Sequence, residues 1–388
     1  MWDAIVVGAR CAGSPLAMLL ARQGHKVLAV DRATIPSDVP QSTHLLHLRG
    51  AAYLQEWGLL DKLRATGCPP LRTYLVDFGA VRFEGAPAAY QGLSEAFAPR
   101  RIKLDQVLLE AAREAGVTVH EGFTVEEVLI EGGAVVGIRG RDASGRETTE
   151  RAKIVIGADG VNSVVARAMK PRVYRTRESK VMTYFGYFRN LKRVGAEVEL
   201  HPRPPGRCAY AWPTHDGLTL VGANWFTHEF DEIAKDPQPN FEQVVRLCAP
   251  QLADGMKSAQ REGELVGGFT QNFYRHPFGP GWALVGDAGS NYEFCSGQGI
   301  TNGFRSAALL AKAIGEGLRA PDSMAACLGR FHQARDREEV PYYDFTYKNQ
   351  RGRIPRHTHS HPAPARCRRM GGTAIGGPCT SRQGTQRG

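Results

Sequence analysis

The sequence predicts an α/β protein in which a domain with a parallel β-sheet is interrupted by an inserted antiparallel β-sheet. Three short apolar runs, rich in valine and isoleucine, each end in a glycine-containing turn, and they lie at residues 4–7, 154–156 and 283–285. Such runs are typical of parallel strands that are buried on both faces. The stretches 70–98 and 173–270 interrupt this framework, and the second contains the alternating pattern of antiparallel strands.

The first element is a strand–turn–helix–strand unit that ends in an acid. The strand leads into the turn at residues 8–13, a helix at residues 14–23 and a second strand that ends at Asp31. This order is typical of Rossmann-like dinucleotide-binding domains, where a helix N-terminus binds pyrophosphate and the acid accepts hydrogen bonds from ribose. Arg10 replaces the middle glycine of Gly-x-Gly-x-x-Gly, and it either flanks the phosphates or remains solvated. The alternative is a plain βαβ unit with a tight turn and no ligand.

Two later turns carry an acid at the end of a strand. Asp159 lies in the turn at residues 157–160, and Asp287 lies in the turn at residues 286–289. A strand-end carboxylate can accept hydrogen bonds from a sugar hydroxyl, although both acids could instead be helix N-caps. Gly297-Gln298-Gly299 then opens a helix whose first N–H groups are free to face an electron-rich group.

These three motifs, in this order, resemble those of the FAD-dependent monooxygenases related to para-hydroxybenzoate hydroxylase. That superfamily also contains flavin-dependent halogenases and geranylgeranyl reductases. The segment at residues 101–108 resembles the superfamily's Arg-x-x-Leu-x-x-x-Leu helix, and the likeness covers about residues 1–345. Two positions depart from the pattern, because Phe294 stands near the usual place of a proline and Ser306 replaces an aspartate.

The resemblance implies a discontinuous Rossmann-like FAD-binding domain at residues 1–70, 98–172 and 271–345. It implies a substrate-binding β-sheet domain at residues 71–97 and 173–270. The residues expected to bind the cofactor are Gly8, Ala12, Gly13, Asp31, Arg32, Arg101, Val125, Asp159, Asp287, Gly299 and Ile300.

The resemblance also implies a place on FAD for most of these residues. The turn at 8–13 is expected at the pyrophosphate, Asp31 at the adenosine ribose, Val125 at the adenine through its backbone, and Arg101 at the phosphate and ribityl region. Asp287 is expected at the ribityl or pyrophosphate end, Gly299 and Ile300 at the N1–O2 edge of the isoalloxazine, and Asp159 near FAD and pyridine nucleotide.

The expected reaction is NAD(P)H-dependent hydroxylation of a small apolar or aromatic substrate through a flavin C4a-hydroperoxide. NADH or NADPH would supply the electrons and molecular oxygen would be the co-substrate. The alternatives are a flavin-dependent reductase of the geranylgeranyl reductase type and a flavin halogenase. The segment Tyr210-Ala211-Trp212-Pro213 matches the halogenase segment Trp-x-Trp-x-Ile-Pro only in part.

The inserted sheet has candidate substrate contacts but no certain catalytic residue. Alternation places Phe185 and Tyr187 on one face and Tyr184 and Phe188 on the other. The candidate pocket residues are Phe185, Tyr187, Tyr210, Trp212 and Trp225, and ordinary sheet core is the alternative for each. His44 is a candidate general base, with a structural or solvated role as its alternative. No metal site is expected.

The basic character of the chain is confined to its C-terminal end. The net charge is +10, but residues 351–388 contain eight arginines and no acid, which leaves +2 on residues 1–350. We therefore expect no specific nucleic-acid partner. Residues 352–388 lack hydrophobic periodicity and are predicted to form a disordered tail that replaces a lost native C-terminus. A genuine basic tail that docks a partner is the alternative.

The cysteines and the apolar pattern predict the compartment. The eight cysteines are scattered and form no Cys-x-x-Cys pair, and no run of 18 apolar residues occurs. A reduced, cytoplasmic protein without a membrane span is the simplest expectation, and no N-terminal signal segment is recognised. The oligomeric state is left open.

Overall fold

The computed structural model describes residues 1–193, 195–203 and 205–349. The predicted tail at residues 352–388 lies outside the described residues. The strands are β1 (Trp2–Val7), β2 (Val27–Asp31), β3 (Pro70–Leu71), β4 (Tyr74–Asp77), β5 (Arg82–Gly85), β6 (Ala96–Phe97), β7 (Thr118–Glu121), β8 (Thr124–Glu131), β9 (Ala134–Arg141), β10 (Glu147–Gly157), β11 (Val173–Arg177), β12 (Val181–Arg189), β13 (Val198–Arg203), β14 (Arg207–Pro213), β15 (Leu218–Phe226), β16 (Gln260–Gly268), β17 (Asn272–Arg275), β18 (Phe278–Gly279), β19 (Trp282–Leu284) and β20 (Ser290–Asn291).

Within the described residues, the first five helices are interspersed among β1–β11, three follow β15 and two follow β20. They are α1 (Gly13–Arg22), α2 (Leu48–Glu56), α3 (Leu60–Ala65), α4 (Arg101–Glu114), α5 (Val164–Met169), α6 (Phe230–Ile233), α7 (Pro237–Cys248), α8 (Pro250–Met256), α9 (Gly299–Arg319) and α10 (Met324–Asn349).

The parallel sheet has the strand order β18-β19-β10-β1-β2-β7, and its β1, β2, β7, β10 and β19 pair in parallel. Successive residues of β1 enter different cores: Val6 packs with α1, α4 and α9, and Ile5 packs with β8 and α5 on the opposite face. Both faces are therefore buried, which explains the continuous apolar runs in the sequence. The predicted α/β fold class is confirmed.

The second large sheet has the order β16-β12-β15-β14-β13-β4-β5, and it is antiparallel except where β13 pairs in parallel with β4. Phe185 belongs to the core facing Leu45 and Leu71, whereas Tyr184 belongs to the core that covers α7. Trp225 also lies on the α7 side, 1% exposed, so its environment is the ordinary sheet core. The boundaries expected for the two domains remain a prediction.

The long helix α10 packs against α9 and against β11 of the small sheet β11-β17-β20. Its Arg335 is 1% exposed, forms an ion pair with Asp336 and donates to the Tyr174 hydroxyl at 2.6 Å. Within the described residues, no helix is both long and apolar enough to cross a membrane.

Candidate active site

The glycine turn between β1 and α1 is shaped by close backbone approaches. Gly8 has a φ of +100°, and a Cβ added there would lie 2.5 Å from the Ala158 carbonyl oxygen. A Cβ added at Gly13 would lie 1.7 Å from the Gly8 carbonyl oxygen. Both positions therefore require glycine for packing alone, because any side chain would push the turn away from its neighbours. Ala12 belongs to the same turn, and a Cβ added at Gly286 of the third motif would lie 2.8 Å from the Ala12 Cβ.

Asp31 fastens this turn to the end of β2. Its carboxylate accepts hydrogen bonds from the amides of Ala9, at 2.8 Å, and Ala33, at 2.9 Å. Each oxygen keeps a further lone pair for a ribose hydroxyl. Arg32 is exposed, and Val125 is half-buried in β8, two residues after Phe123, whose amide donates to the Asp31 carbonyl at 2.8 Å. The residues expected at the adenosine end are thus neighbours.

Asp105 is a buried acid at the candidate site that sequence reasoning did not predict. It is fully buried in α4 and pairs with two arginines: its distances are 2.8 Å to Arg10 Nη1, 2.9 Å to Arg101 Nε and 3.0 Å to Arg101 Nη2. The Cys11 thiol donates to the same carboxylate at 3.3 Å. The sequence feature that could have revealed Asp105 is its place on a predicted helix, beside the apolar stripe and four residues after Arg101. Asp105 therefore orients the cations at the glycine turn.

Arg10 forms several hydrogen bonds within the protein, and a place beside the phosphates remains a prediction. Besides its ion pair with Asp105, its guanidinium donates to the Ser37 carbonyl at 3.1 Å and to the Ser37 hydroxyl at 2.8 Å. Its side chain is 22% exposed. The arginine that replaces the middle glycine is therefore a structural bridge between α4 and the loop after β2.

The Asp287 carboxylate lies in the turn that follows β19, and Arg101 is close enough to interact with it electrostatically. The residue is accessible to solvent, yet protein surrounds it on most sides, and this partial desolvation raises the pKa of its carboxyl to about 6 while Arg101 opposes the rise. No side chain or amide among the described residues donates a hydrogen bond to it. A carboxylate that solvent can reach, but that protein surrounds on most sides, is suited to bind a hydroxyl group of a ligand.

The N-terminus of α9 faces open space. A Cβ added at Gly299 would meet no atom within 4 Å, and no side chain caps this 21-residue helix. Ile300 is the second residue of the first turn. The free N–H groups of this turn and the positive end of the helix dipole point into the open space beside Gly299. Ser306, which replaces an aspartate, accepts from the Gly286 amide at 3.2 Å and so joins α9 to the Asp287 turn.

One carboxylate oxygen of Asp159 accepts a hydrogen bond, and the other has no partner among the described residues. Its Oδ2 accepts from the Val164 amide at 2.7 Å, at the start of α5, whereas its Oδ1 is buried without a partner in the described part of the chain. Burial raises the pKa of this carboxyl. The helix-capping alternative is thus present for one oxygen, and the other oxygen is available to a ligand.

His44 packs against Tyr187 of β12 and is 1% exposed. Its Nε2 hydrogen-bonds to the Tyr187 hydroxyl, and burial lowers its pKa well below the ordinary value. The imidazole is therefore neutral near pH 7, with one nitrogen already occupied.

A cleft of about 310 Å³ opens beside the start of α9. Its aromatic side chains come from β4, from the loop after β5 and from α10. The lining residues are His47, Leu48, Arg49, Tyr74, Pro87, Ala88, Tyr90, Gln298 and Tyr342. The predicted pocket residues Tyr210 and Trp212 do not line it; their rings stack on each other at 5.0 Å, and Trp212 Nε1 donates to the Thr43 carbonyl at 3.0 Å.

The residues around these motifs fit FAD. Three of the buried polar atoms that have no partner within residues 1–193, 195–203 and 205–349 lie around the start of α9: Ser296 Oγ, Gln298 Oε1 and Thr301 Oγ1. Buried polar groups normally have hydrogen-bond partners, so unpartnered ones at an open helix N-terminus are expected where a polar ligand binds. The Asp159, Asp287 and α9 motifs together offer acceptors and donors of the kind that a flavin dinucleotide needs.

Comparison with known proteins identifies the family of this chain. A family model described as a FAD binding domain matches residues 1–335. The chain is 28% identical over 347 residues to the digeranylgeranylglycerophospholipid reductase of Methanocella arvoryzae, covering 85% of this chain and 81% of that protein. It is 28% identical over 358 residues to the kynurenine 3-monooxygenase of Salinispora arenicola, covering 85% and 75%.

A solved structure is similar over most of its length. The structure of a myxobacterial chondrochloren halogenase, a variant of the FAD-dependent halogenases, superimposes with a TM-score of 0.82 and 26% identity, covering 89% of this chain and 82% of that one. The proteins to which this chain is similar therefore include a reductase, a monooxygenase and a halogenase.

Proposed function

This chain belongs to the FAD binding domain family and is a FAD-dependent oxidoreductase, and from that premise we propose that it is a monooxygenase that inserts one oxygen atom into a small aromatic substrate. NADH or NADPH is the proposed electron donor and molecular oxygen the co-substrate. The observation that carries the proposal is the tyrosine-lined cleft that opens beside Gln298, the residue before the first turn of α9. The similarity to kynurenine 3-monooxygenase over 85% of the chain supports it.

The size and lining of the cleft favour a small aromatic ring. A volume of about 310 Å³ is at the lower end of the range for small-molecule sites. Tyr74, Tyr90 and Tyr342 supply ring faces and edges on which an aromatic substrate can stack. A polyprenyl chain would need a longer apolar channel, which argues against the reductase alternative.

The cofactor-binding residues have separate tasks in this proposal. Gly8, Ala12 and Gly13 let the pyrophosphate approach the N-terminus of α1. Asp31 and Arg32 hold the adenosine ribose, and the backbone at Val125 contacts the adenine. These contacts leave the other end of the dinucleotide to the residues of the cleft.

That other end lies along Arg101, Asp287 and α9. Arg101, oriented by Asp105, supplies a positive charge beside the phosphate and ribityl groups, and Asp287 accepts from a hydroxyl. The amides of Gly299 and Ile300 stabilise negative charge at the flavin edge. Bound FAD supplies the redox chemistry between the pyridine nucleotide and oxygen. The protein positions the substrate ring and excludes water.

A halogenase is the second candidate, because the chondrochloren halogenase superimposes with a TM-score of 0.82. The segment around Tyr210 and Trp212 does not add support. The Trp212 indole is buried and its N–H is occupied by the Thr43 carbonyl, so this tryptophan is part of the sheet core.

Labelled oxygen distinguishes these activities. The FAD-loaded protein is incubated with NADH or NADPH, a panel of small aromatic compounds, bromide or chloride, and ¹⁸O₂. The masses of the products are then measured by mass spectrometry. A product with one labelled oxygen, formed with substrate-stimulated oxidation of the nucleotide, supports the proposal. A product that gains two hydrogens indicates a reductase, and a halogenated product indicates a halogenase.

A matched pair of variants links the activity to the cleft. Tyr90→Ala removes an aromatic wall of the cleft and is expected to raise the KM for the substrate. Gln106→Ala changes a separate groove between α3 and α4, lined by Lys62 and Lys103, and is expected to leave the KM unchanged. Equal effects of both variants would contradict the assignment of this cleft.

A further inference from the structure

His44 has one buried ring nitrogen without a hydrogen bond. The Nε2 atom is bound to the Tyr187 hydroxyl, and the two rings stack with their centroids 5.9 Å apart. The Nδ1 atom is fully buried and has no partner in the described portion of the chain. Since buried polar atoms nearly always form hydrogen bonds, Nδ1 is expected to have a partner outside the protein.

The backbone holds the imidazole in this orientation despite strain. His44 has a φ of +66°, in the left-handed region that residues with a Cβ rarely adopt. Its amide donates to the Ser42 hydroxyl at 3.2 Å, and the preceding Thr43 carbonyl accepts from Trp212 Nε1 at 3.0 Å. Strain that neighbouring contacts maintain in this way is common at functional sites.

The surroundings of the ring indicate which ligand Nδ1 meets. Arg100, Arg101 and His215 are close enough to lower the pKa of His44, with burial as the largest cause. A guanidinium has no acceptor for an Nδ1–H donor, and Arg101 directs its own donors to Asp105. The next residue, Leu45, lies near Gly297 just before α9, where a Cβ added to the glycine would be 3.4 Å from Leu45 Cδ2. Arg101 also interacts electrostatically with Asp287, so His44 lies near the residues proposed to contact the middle of FAD.

We propose that His44 is a cofactor-positioning residue whose Nδ1 hydrogen-bonds to the ribityl chain of FAD, and that Tyr187 holds the imidazole for this contact. Ribityl hydroxyls both donate and accept, so they match either tautomer of a neutral imidazole. The contact also connects the inserted sheet to the cofactor. It replaces the general-base role considered from the sequence, and it depends on FAD binding, not on which substrate reacts.

Two substitutions separate the two ring nitrogens. The side chain of His44→Asn retains a polar group at the position of Nδ1, and asparagine tolerates a positive φ. The side chain of His44→Gln retains a polar group at the position of Nε2 but loses Nδ1. Tyr187→Phe is the matched control that removes the bond at Nε2 alone.

The readout is the dissociation constant of FAD, measured from flavin fluorescence on dilution of each holoenzyme. We expect His44→Gln to weaken FAD binding about 5- to 100-fold. We expect His44→Asn to remain within about 3-fold of the wild type and Tyr187→Phe to weaken binding less than His44→Gln does. Wild-type affinity in His44→Gln, or an equal loss in the asparagine and glutamine variants, would overturn the proposal.

A spectroscopic measurement covers the case in which His44→Gln folds poorly. Wild-type protein labelled with ¹⁵N-histidine gives an Nδ1 resonance for His44, which is assigned by its absence in His44→Asn. The resonance is expected to shift when FAD is removed from the holoenzyme. An unchanged resonance overturns the proposal, as does one that responds only to an aromatic substrate.

Discussion

Replacing Asp105 by asparagine is expected to destabilise the protein more than any surface change. The native carboxylate is fully buried and neutralises Arg10 and Arg101, whose side chains are 22% and 12% exposed. The neutral amide introduced by Asp105→Asn would leave the partly buried Arg10 without a counter-charge and Arg101 with only the more distant Asp287. Removing one partner of a buried ion pair typically costs about 3–5 kcal/mol, a large part of a free energy of unfolding of about 5–15 kcal/mol.

Urea denaturation followed by tryptophan fluorescence and circular dichroism measures this loss. With a urea dependence of about 3 kcal/mol per molar, the midpoint should fall by roughly 1–2 M. Saturating FAD should recover part of the loss, because its pyrophosphate brings negative charge to the same arginines. The matched control is Asp61→Asn, because Asp61 also pairs with an arginine but is 93% exposed.

The control is expected to keep the wild-type midpoint, since exposed ion pairs contribute little. A midpoint for Asp105→Asn that equals that of Asp61→Asn would refute the reasoning. It would mean that Arg10 and Arg101 find other partners or water without loss of free energy.

Three further predictions concern other positions. Gly13→Ala is expected to prevent stable folding or FAD retention, because its Cβ would lie 1.7 Å from the Gly8 carbonyl oxygen; soluble, yellow protein with the wild-type melting temperature would contradict this. Asp287→Ala is expected to raise the dissociation constant of FAD about 5- to 100-fold through loss of a hydroxyl acceptor, as measured by fluorescence titration, and an unchanged constant would show that the carboxylate makes no contact. Burial raises the pKa of Glu339 to about 7 from its ordinary value of 4.5, so the folded state retains a proton that the unfolded chain releases, and stability falls as the pH rises through this interval. Glu339→Gln should therefore have a higher melting temperature than the wild type at pH 8 and a similar one at pH 4, and the same difference at both pH values would argue against a buried, titrating carboxyl.

The resemblance to flavin-dependent enzymes is confirmed, and it rested on features that are local in sequence. The turn at residues 8–13, the acid at Asp31 and the alternation of Tyr184 and Phe185 each follow from neighbouring residues. A turn that needs glycine, a buried strand and a two-residue period are imposed by backbone sterics and by the exclusion of apolar side chains from water.

The residues of the substrate pocket were less predictable from the sequence. Alternation along a strand shows which side chains share a face of the sheet, but not which other segment covers that face. Phe185 and Trp225 were both candidates for the pocket, yet they lie in different cores on opposite sides of the sheet. The cleft is instead lined by Tyr74, Tyr90 and Tyr342, which come from segments that are far apart in the chain.

By itself, the sequence determined the α/β class, the order of the three cofactor motifs and the glycine positions, because each depends on interactions between residues close in the chain. Only the tertiary structure decided that Asp105 joins Arg10 to Arg101 and that His44 bonds to Tyr187, 143 positions later. Such pairs depend on how remote segments pack. The free energy of burying a charge or an imidazole depends on the partner that packing places beside it. That partner cannot be inferred from a local sequence pattern.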